Sequence, residues 1–220
     1  MRIKICGVTT VTDALAAAEC GADAVGLNFF PESPRCVSRH VAEEIVGELP
    51  PFVEPVAVLV RPQSADLRWC LSSLGLRSLQ LHGFDSRSEG IAPAFSKCHL
   101  IVAFPVGEEG DVEAARKFVS DLNDDGIRPS ALLVDARVPG QFGGTGKQAP
   151  WHLLAGRDFG LPLILAGGLT PENVVEAIRI VRPYAVDVAS GVESQPGKKD
   201  REKMRRFVVE ARRAASELGI

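Results

Sequence analysis

No apolar run in this chain of 220 residues approaches the roughly 20 residues that a membrane-spanning helix needs. The N-terminus is charged and then apolar for only a few residues before Gly7, which does not read as a signal peptide. A cytoplasmic address is therefore expected. There is no CxxC pair, and the cysteines (Cys6, Cys20, Cys36, Cys70 and Cys98) are odd in number and widely spaced. That argues against a disulfide framework and against a structural zinc site, and predicts reduced, mostly buried thiols. Charge of one sign is not in excess: 25 Lys and Arg face 28 Asp and Glu, a formal net charge of -3. Nothing in that balance calls for nucleic acid. No linker or low-complexity tract divides the chain, so residues 1–220 are expected to form one domain.

What is present is ordinary globular material, 45% hydrophobic and 24% charged, arranged in a rhythm. Eight short apolar runs recur: "RIKICG", "DAVGLNF", "EPVAVLV", "RSLQLHG", "HLIVAFPV", "ALLVDA", "LPLILAGG" and "YAVDVASG". Several are nearly continuous in apolar residues, as in a parallel sheet covered on both faces. Helical periods lie between them. "SRHVAEEIVGEL" places Val41, Ala42, Ile45, Val46 and Leu49 on one face, with Ser38 as N-cap. "TPENVVEAIRIV" offers Thr170 as a cap and Pro171 at the first helical position. The last helix stripes Met204, Phe207, Val208, Ala211, Ala215 and Leu218. Its Lys and Arg residues form a solvated outer face. "SRSEGIAPAF", with its Gly and Pro, predicts a short or irregular helix. Eight strand–helix units in this length predict an α/β fold, a closed (β/α)8 barrel. A doubly wound open sheet is the alternative.

In such barrels chemistry sits at the C-terminal ends of the strands. Read in order, those ends carry Cys6-Gly7, Asn28-Phe29, Val60-Arg61, His82-Gly83, Pro105, Asp135, Gly167-Gly168 and Ser190-Gly191. A thiol, an imidazole and a carboxylate thus end three different strands. Gly167 and Gly168 before one helix, with Ser190 and Gly191 after the last strand, suit a phosphate. Glycine lets backbone N–H groups approach an anion closely, and helix N-termini add positive potential. "PGQFGGTGK" imitates a Walker A loop but is not one. Gln141 stands where the first glycine is needed, and Gln148 where Ser or Thr must follow the lysine. A Gly-rich cover with Gly144, Gly146 and the cation Lys147 is the better reading, spanning Arg137–Lys147. Arg35, in "FFPESPRCVS", presents a fork that matches a carboxylate.

Taken together, "KICG", "GLNFFPESPR", "LQLHG", "VDA…PGQFGGTGK", "LAGGLTPENV" and "DVASGVE…PGKKD" resemble the phosphoribosylanthranilate isomerase family. The resemblance runs in order from the first strand to the last helix. It implies an Amadori rearrangement of a phosphorylated aminoaldose to an aminoketose, a step of tryptophan biosynthesis, without cofactor or metal. It implies Cys6 as general base and Asp135 as general acid. Arg35 would clamp the anthranilate carboxylate, and His82 would line the pocket. Gly167, Gly168, Ser190 and Gly191 would grip the phosphate, with Asp187 nearby. The implied partner is a small phosphosugar; oligomeric state is left open. Two related phosphosugar barrels fit less well. Indole-glycerol-phosphate synthases rely on lysine-based acid chemistry and an extra N-terminal segment. The histidine-pathway aminoaldose isomerase ends its first strand in aspartate, where this chain has Cys6. A non-catalytic phosphometabolite-binding barrel is a reading of another class; the Cys6 and Asp135 pair speaks against it.

Overall fold

The first strand, β1 (Arg2–Cys6), shows how alternation builds the molecule. Ile3 and Ile5 point one way and are buried against the helices. Lys4 and Cys6 point the other way, into the barrel. The computed structural model describes residues 1–84, 95, 98–136 and 150–220. Each of the eight apolar runs forms a strand: β1, β2 (Ala24–Asn28), β3 (Glu54–Val60), β4 (Ser78–His82), β5 (His99–Val106), β6 (Ala131–Ala136), β7 (Leu163–Leu165) and β8 (Ala185–Val188). They pair in parallel in chain order, and β1 closes on β8 with Lys4 opposite Asp187. The open-sheet alternative is thereby excluded.

The described helices are α1 (Val11–Glu19), α2 (Arg39–Glu48), α3 (Ser64–Arg68), α4 (Glu109–Asp124), α5 (Trp151–Leu154), α6 (Val174–Val181) and α7 (Arg201–Leu218). None of them is long and apolar enough to cross a membrane. Ser38 caps α2 as expected, accepting from the Val41 amide at 3.3 Å. The cap of α6 differs from expectation. Thr170 and Pro171 lie in a turn that precedes the helix, and Asn173 is the N-cap. The Asn173 side chain faces back, donating to the Gly168 carbonyl at 2.9 Å and accepting from the Thr170 amide at 2.8 Å. The Asn173 side chain thus reaches back over the turn instead of capping the helix ahead of it, and so ties down the glycine turn. The "SRSEGIAPAF" segment lies outside the described residues, apart from Phe95.

One large apolar cluster fills the layer between sheet and helices. A smaller one, Ala103, Ala131, Leu133, Ile164, Ala166 and Ala185, fills the barrel interior beside β5–β8. After β8 the chain makes a hairpin, β9 (Glu193–Gln195) and β10 (Lys198–Lys199), before entering α7. The cysteines are less uniformly buried than composition predicts. Cys6 and Cys70 are buried, Cys20 and Cys98 half-buried, and Cys36 exposed.

Candidate active site

A pocket at the C-terminal ends of the strands is lined by Cys6, Asn28, Ser33, Arg35, Val58, Gln80, His82, Leu133, Asp135, Asp187 and Ala189. It brings together Cys6, Arg35, His82, Asp135 and Asp187, residues far apart in the chain.

Cys6 sits among ions. Lys4 donates to Asp187 Oδ1 at 2.8 Å, with both side chains buried. Burial works against the Lys4 charge, but Asp187 and Cys6 outweigh it and hold Lys4 above its ordinary value. Burial pushes the Cys6 thiol up; Lys4 and Lys199 pull it down, Asp187 adds to the rise, and the net shift is upward. Asp187 was expected beside the phosphate turn; it is found paired with Lys4 beside Cys6.

Arg35 is held by a second network. Its Nε and Nη2 donate to the two oxygens of Glu193, both at 2.8 Å. Lys199 donates to the same carboxylate at 2.9 Å and to the Ala189 carbonyl at 3.1 Å. Burial raises Glu193, yet Arg35 and Lys199 overcome it and hold the carboxyl below its usual range. Burial draws Lys199 below its ordinary value in spite of Glu193. Gly7, at φ 71°, lets the chain turn beneath Arg35: a Cβ there would come 2.5 Å from Arg35 Cδ.

Asp135 lies across the pocket on β6. Its Oδ1 accepts from the Ala136 amide at 2.7 Å. Burial pushes this carboxyl up to about 6, against the pull of that amide and with a further push from Asp187. Burial likewise lowers His82 to about 4, with Lys4 adding to the effect, so the imidazole is neutral at pH 7. Its Nε2 lies 2.8 Å from Gln80 Nε2. With the amide assigned this way round, Nε2 accepts and the proton is on Nδ1. Gln80 Oε1, which is buried, has no partner among the described residues.

The two glycine turns meet beside this acid. Gly167 and Gly168 have φ of 85° and 66°. A Cβ on Gly167 would stand 2.8 Å from Asp135 Oδ1 and 2.6 Å from the Ala136 nitrogen. Gly191 packs flat on the Leu169 carbonyl, where no Cβ fits. Gly191 follows Ser190 in a tight 3-10 turn, Ser190–Val192. Gly144, Gly146 and Lys147 lie outside the described residues.

Sequence reasoning assigned no role to Lys4, Gly26, Gln80, Glu193 or Lys199. A signal for Lys4 existed. It is the one charge between two apolar residues in "IKI", two positions before Cys6, so it must point the same way as the thiol.

A closed parallel barrel with a buried thiol, a carboxyl poised near neutrality and paired glycine turns at its mouth defines the class: a (β/α)8-barrel enzyme built for proton transfer. A family model described as N-(5'phosphoribosyl)anthranilate (PRA) isomerase matches residues 3–210. The chain belongs to the PRA isomerase family. It is 44% identical to the N-(5'-phosphoribosyl)anthranilate isomerase of Magnetococcus marinus over 100% of this chain and 99% of that one. Among solved structures, phosphoribosyl anthranilate isomerase from Thermotoga maritima superposes with a TM-score of 0.84 at 39% identity, covering 96% of this chain and 98% of that one. A phosphoribosyl anthranilate isomerase in complex with reduced 1-(o-carboxyphenylamino)-1-deoxyribulose 5-phosphate gives 0.81 at 38% identity, over 96% and 98%.

Proposed function

We propose that the chain converts N-(5-phosphoribosyl)anthranilate to 1-(2-carboxyphenylamino)-1-deoxyribulose 5-phosphate, with residues 1–220 acting as one catalytic barrel domain in the cytoplasm and with no cofactor. The observation that carries this reading is the placement of a buried thiol on β1 and a carboxyl raised to about 6 on β6 in one pocket.

In this reading Asp135, in its protonated form, gives a proton to the ribose ring oxygen as the ring opens. The opened form is a protonated imine, which acidifies the proton on C2. The Cys6 thiolate takes that proton and leaves an enolamine. Protonation at C1 and loss of the C2 hydroxyl proton give the ketone. Arg35, fixed by Glu193 on Nε and Nη2, has no partner for Nη1 among the described residues and offers it to the anthranilate carboxylate. His82, neutral, lines the pocket without adding charge. The Gly167-Gly168 and Ser190-Gly191 turns offer backbone N–H groups to the phosphate. Gly144, Gly146 and Lys147 would cover the bound substrate.

The test is the fluorescence decay of freshly prepared phosphoribosylanthranilate. Catalytic amounts of the protein accelerate its loss if the reading holds. A protein that binds the substrate but leaves its decay at the spontaneous rate would sink it.

A further inference from the structure

The chemistry above has no use for Lys4, yet Lys4 is buried beside Cys6 and bound to Asp187. It precedes Cys6 by two residues on β1, so both side chains share one face of the strand. Its Nζ is bound to Asp187 Oδ1 at 2.8 Å, and the two side chains are 6% and 8% exposed. Gly26 stands opposite Cys6 on β2. A Cβ on Gly26 would lie 2.8 Å from Cys6 Sγ and 3.1 Å from Lys4 Nζ. Thiol and ammonium are therefore within about 6 Å of one another, where an opposite charge favours ionisation. Packing does not explain this lysine. Beside β5–β8 the barrel interior is filled by alanine, leucine and isoleucine, and a buried ion pair is seldom a gain in stability over apolar filling.

We propose that Lys4 is a positioning residue that stabilises the thiolate of Cys6, with Asp187 fixing where the ammonium stands. The inference rests on the reading of Cys6 as the base. Cys6 Sγ loses its proton to solvent, Lys4 keeps its own, and no bond to nitrogen forms. The charges that act on Cys6 are Lys4 on its own strand, Asp187 on β8 and Lys199 on β10. Arg35, His82 and Asp135 line the same pocket. Of these, Lys4 exerts the largest downward pull on the thiol, and Asp187 opposes it. Gly26 completes the device, since any side chain there would press on both groups.

The opposite signs of Lys4 and Asp187 supply the test. Alkylation of Cys6 by iodoacetamide, read by mass spectrometry across pH, reports the thiol midpoint in the intact protein. In Lys4→Gln the midpoint moves up by about one unit or more, and kcat/KM at neutral pH falls about tenfold per unit with KM little changed. In Asp187→Asn, which keeps the ammonium and removes the anion, the midpoint moves down. A merely structural disturbance would move both variants the same way, and that result, or two unmoved midpoints, overturns the proposal. If Lys4→Gln fails to fold, the direction of the Asp187→Asn shift decides: downward supports the proposal, upward or none overturns it. Failure of the base reading is a separate outcome, seen as normal turnover in Cys6→Ala whatever the midpoints do.

Discussion

The two sides of the pocket treat their proton carriers differently. Cys6 has Lys4, Lys199 and Asp187 acting on it. Asp135 makes no ion pair among the described residues and accepts from the Ala136 amide. Burial raises both groups; against it the thiol has Lys4 and Lys199, whereas the carboxyl has the Ala136 amide and only a small pull from Lys4. The carboxyl is left to rise to about 6, where an acid holds its proton for part of the time near neutrality. Two carriers in one cavity are thus tuned by what stands behind each of them.

The largest break in this comparison is removal of the thiol. Cys6→Ala is expected to lower kcat by about three orders of magnitude, with little change in substrate binding, in the fluorescence assay. Near-normal turnover would end its assignment as base. Asp135→Asn should lower kcat by about two orders of magnitude or more, because an amide cannot deliver the proton. The same change should stabilise the fold. A folded-state value about two units above the ordinary one means that ionising Asp135 opposes folding, by about 3 kcal/mol at neutral pH and above. The sign is fixed: the penalty is absent below the unfolded value near 3.8 and complete above about 6. Asp135→Asn should therefore unfold later than the parent at pH 8 and equally at pH 3; a gain that persists at pH 3 would refute the linkage.

Glu193→Gln tests the frame of Arg35. It leaves two buried cations sharing a neutral amide, so stability should fall by about 3 kcal/mol in denaturant unfolding. KM should rise about tenfold while kcat holds, since only binding of the substrate carboxylate is touched. A loss confined to kcat would argue against the clamp.

The pH profile sharpens the comparison without a mutation. The working form has Asp135 protonated and Cys6 ionised, yet the carboxyl titrates below the thiol. That form is then a small, constant share of the enzyme between the two values. The profile of kcat/KM should rise up to about pH 6, stay level, and fall only above the thiol's value. A decline that begins at pH 6 would mean that Cys6 ionises below Asp135. The smallest effect is expected at Cys36, which is exposed. Cys36→Ser should keep kcat and KM, and keep stability within about 0.5 kcal/mol.

Much of the fold was legible because its signals are local. Apolar runs of strand length mark each of β1–β8, and the strand ends point to Cys6, His82 and Asp135 at one rim. The start of α6 was less legible, because Thr170 and Asn173 are both good capping residues and the choice depends on the Gly168 carbonyl next door. The ion networks were less legible still. "DVASGVE" and "PGKKD" were visible as strings, but not that Glu193 would take Arg35 from one side and Lys199 from the other.

By itself, then, the sequence determined the strand rhythm and the thiol, imidazole and carboxyl that end three of its strands. Period-two and helical patterns are properties of neighbouring residues, and their repetition predicts a parallel α/β fold, which the pairing of β1 with β8 closes into a barrel. Only the tertiary structure decided which charges meet. Lys4 and Asp187 are 183 residues apart, and Arg35 and Glu193 158 apart. Their pairing depends on β1 closing on β8 and on a hairpin folding over the rim. The proton affinities of Cys6 and Asp135 depend on burial and on those pairings, which no local pattern records.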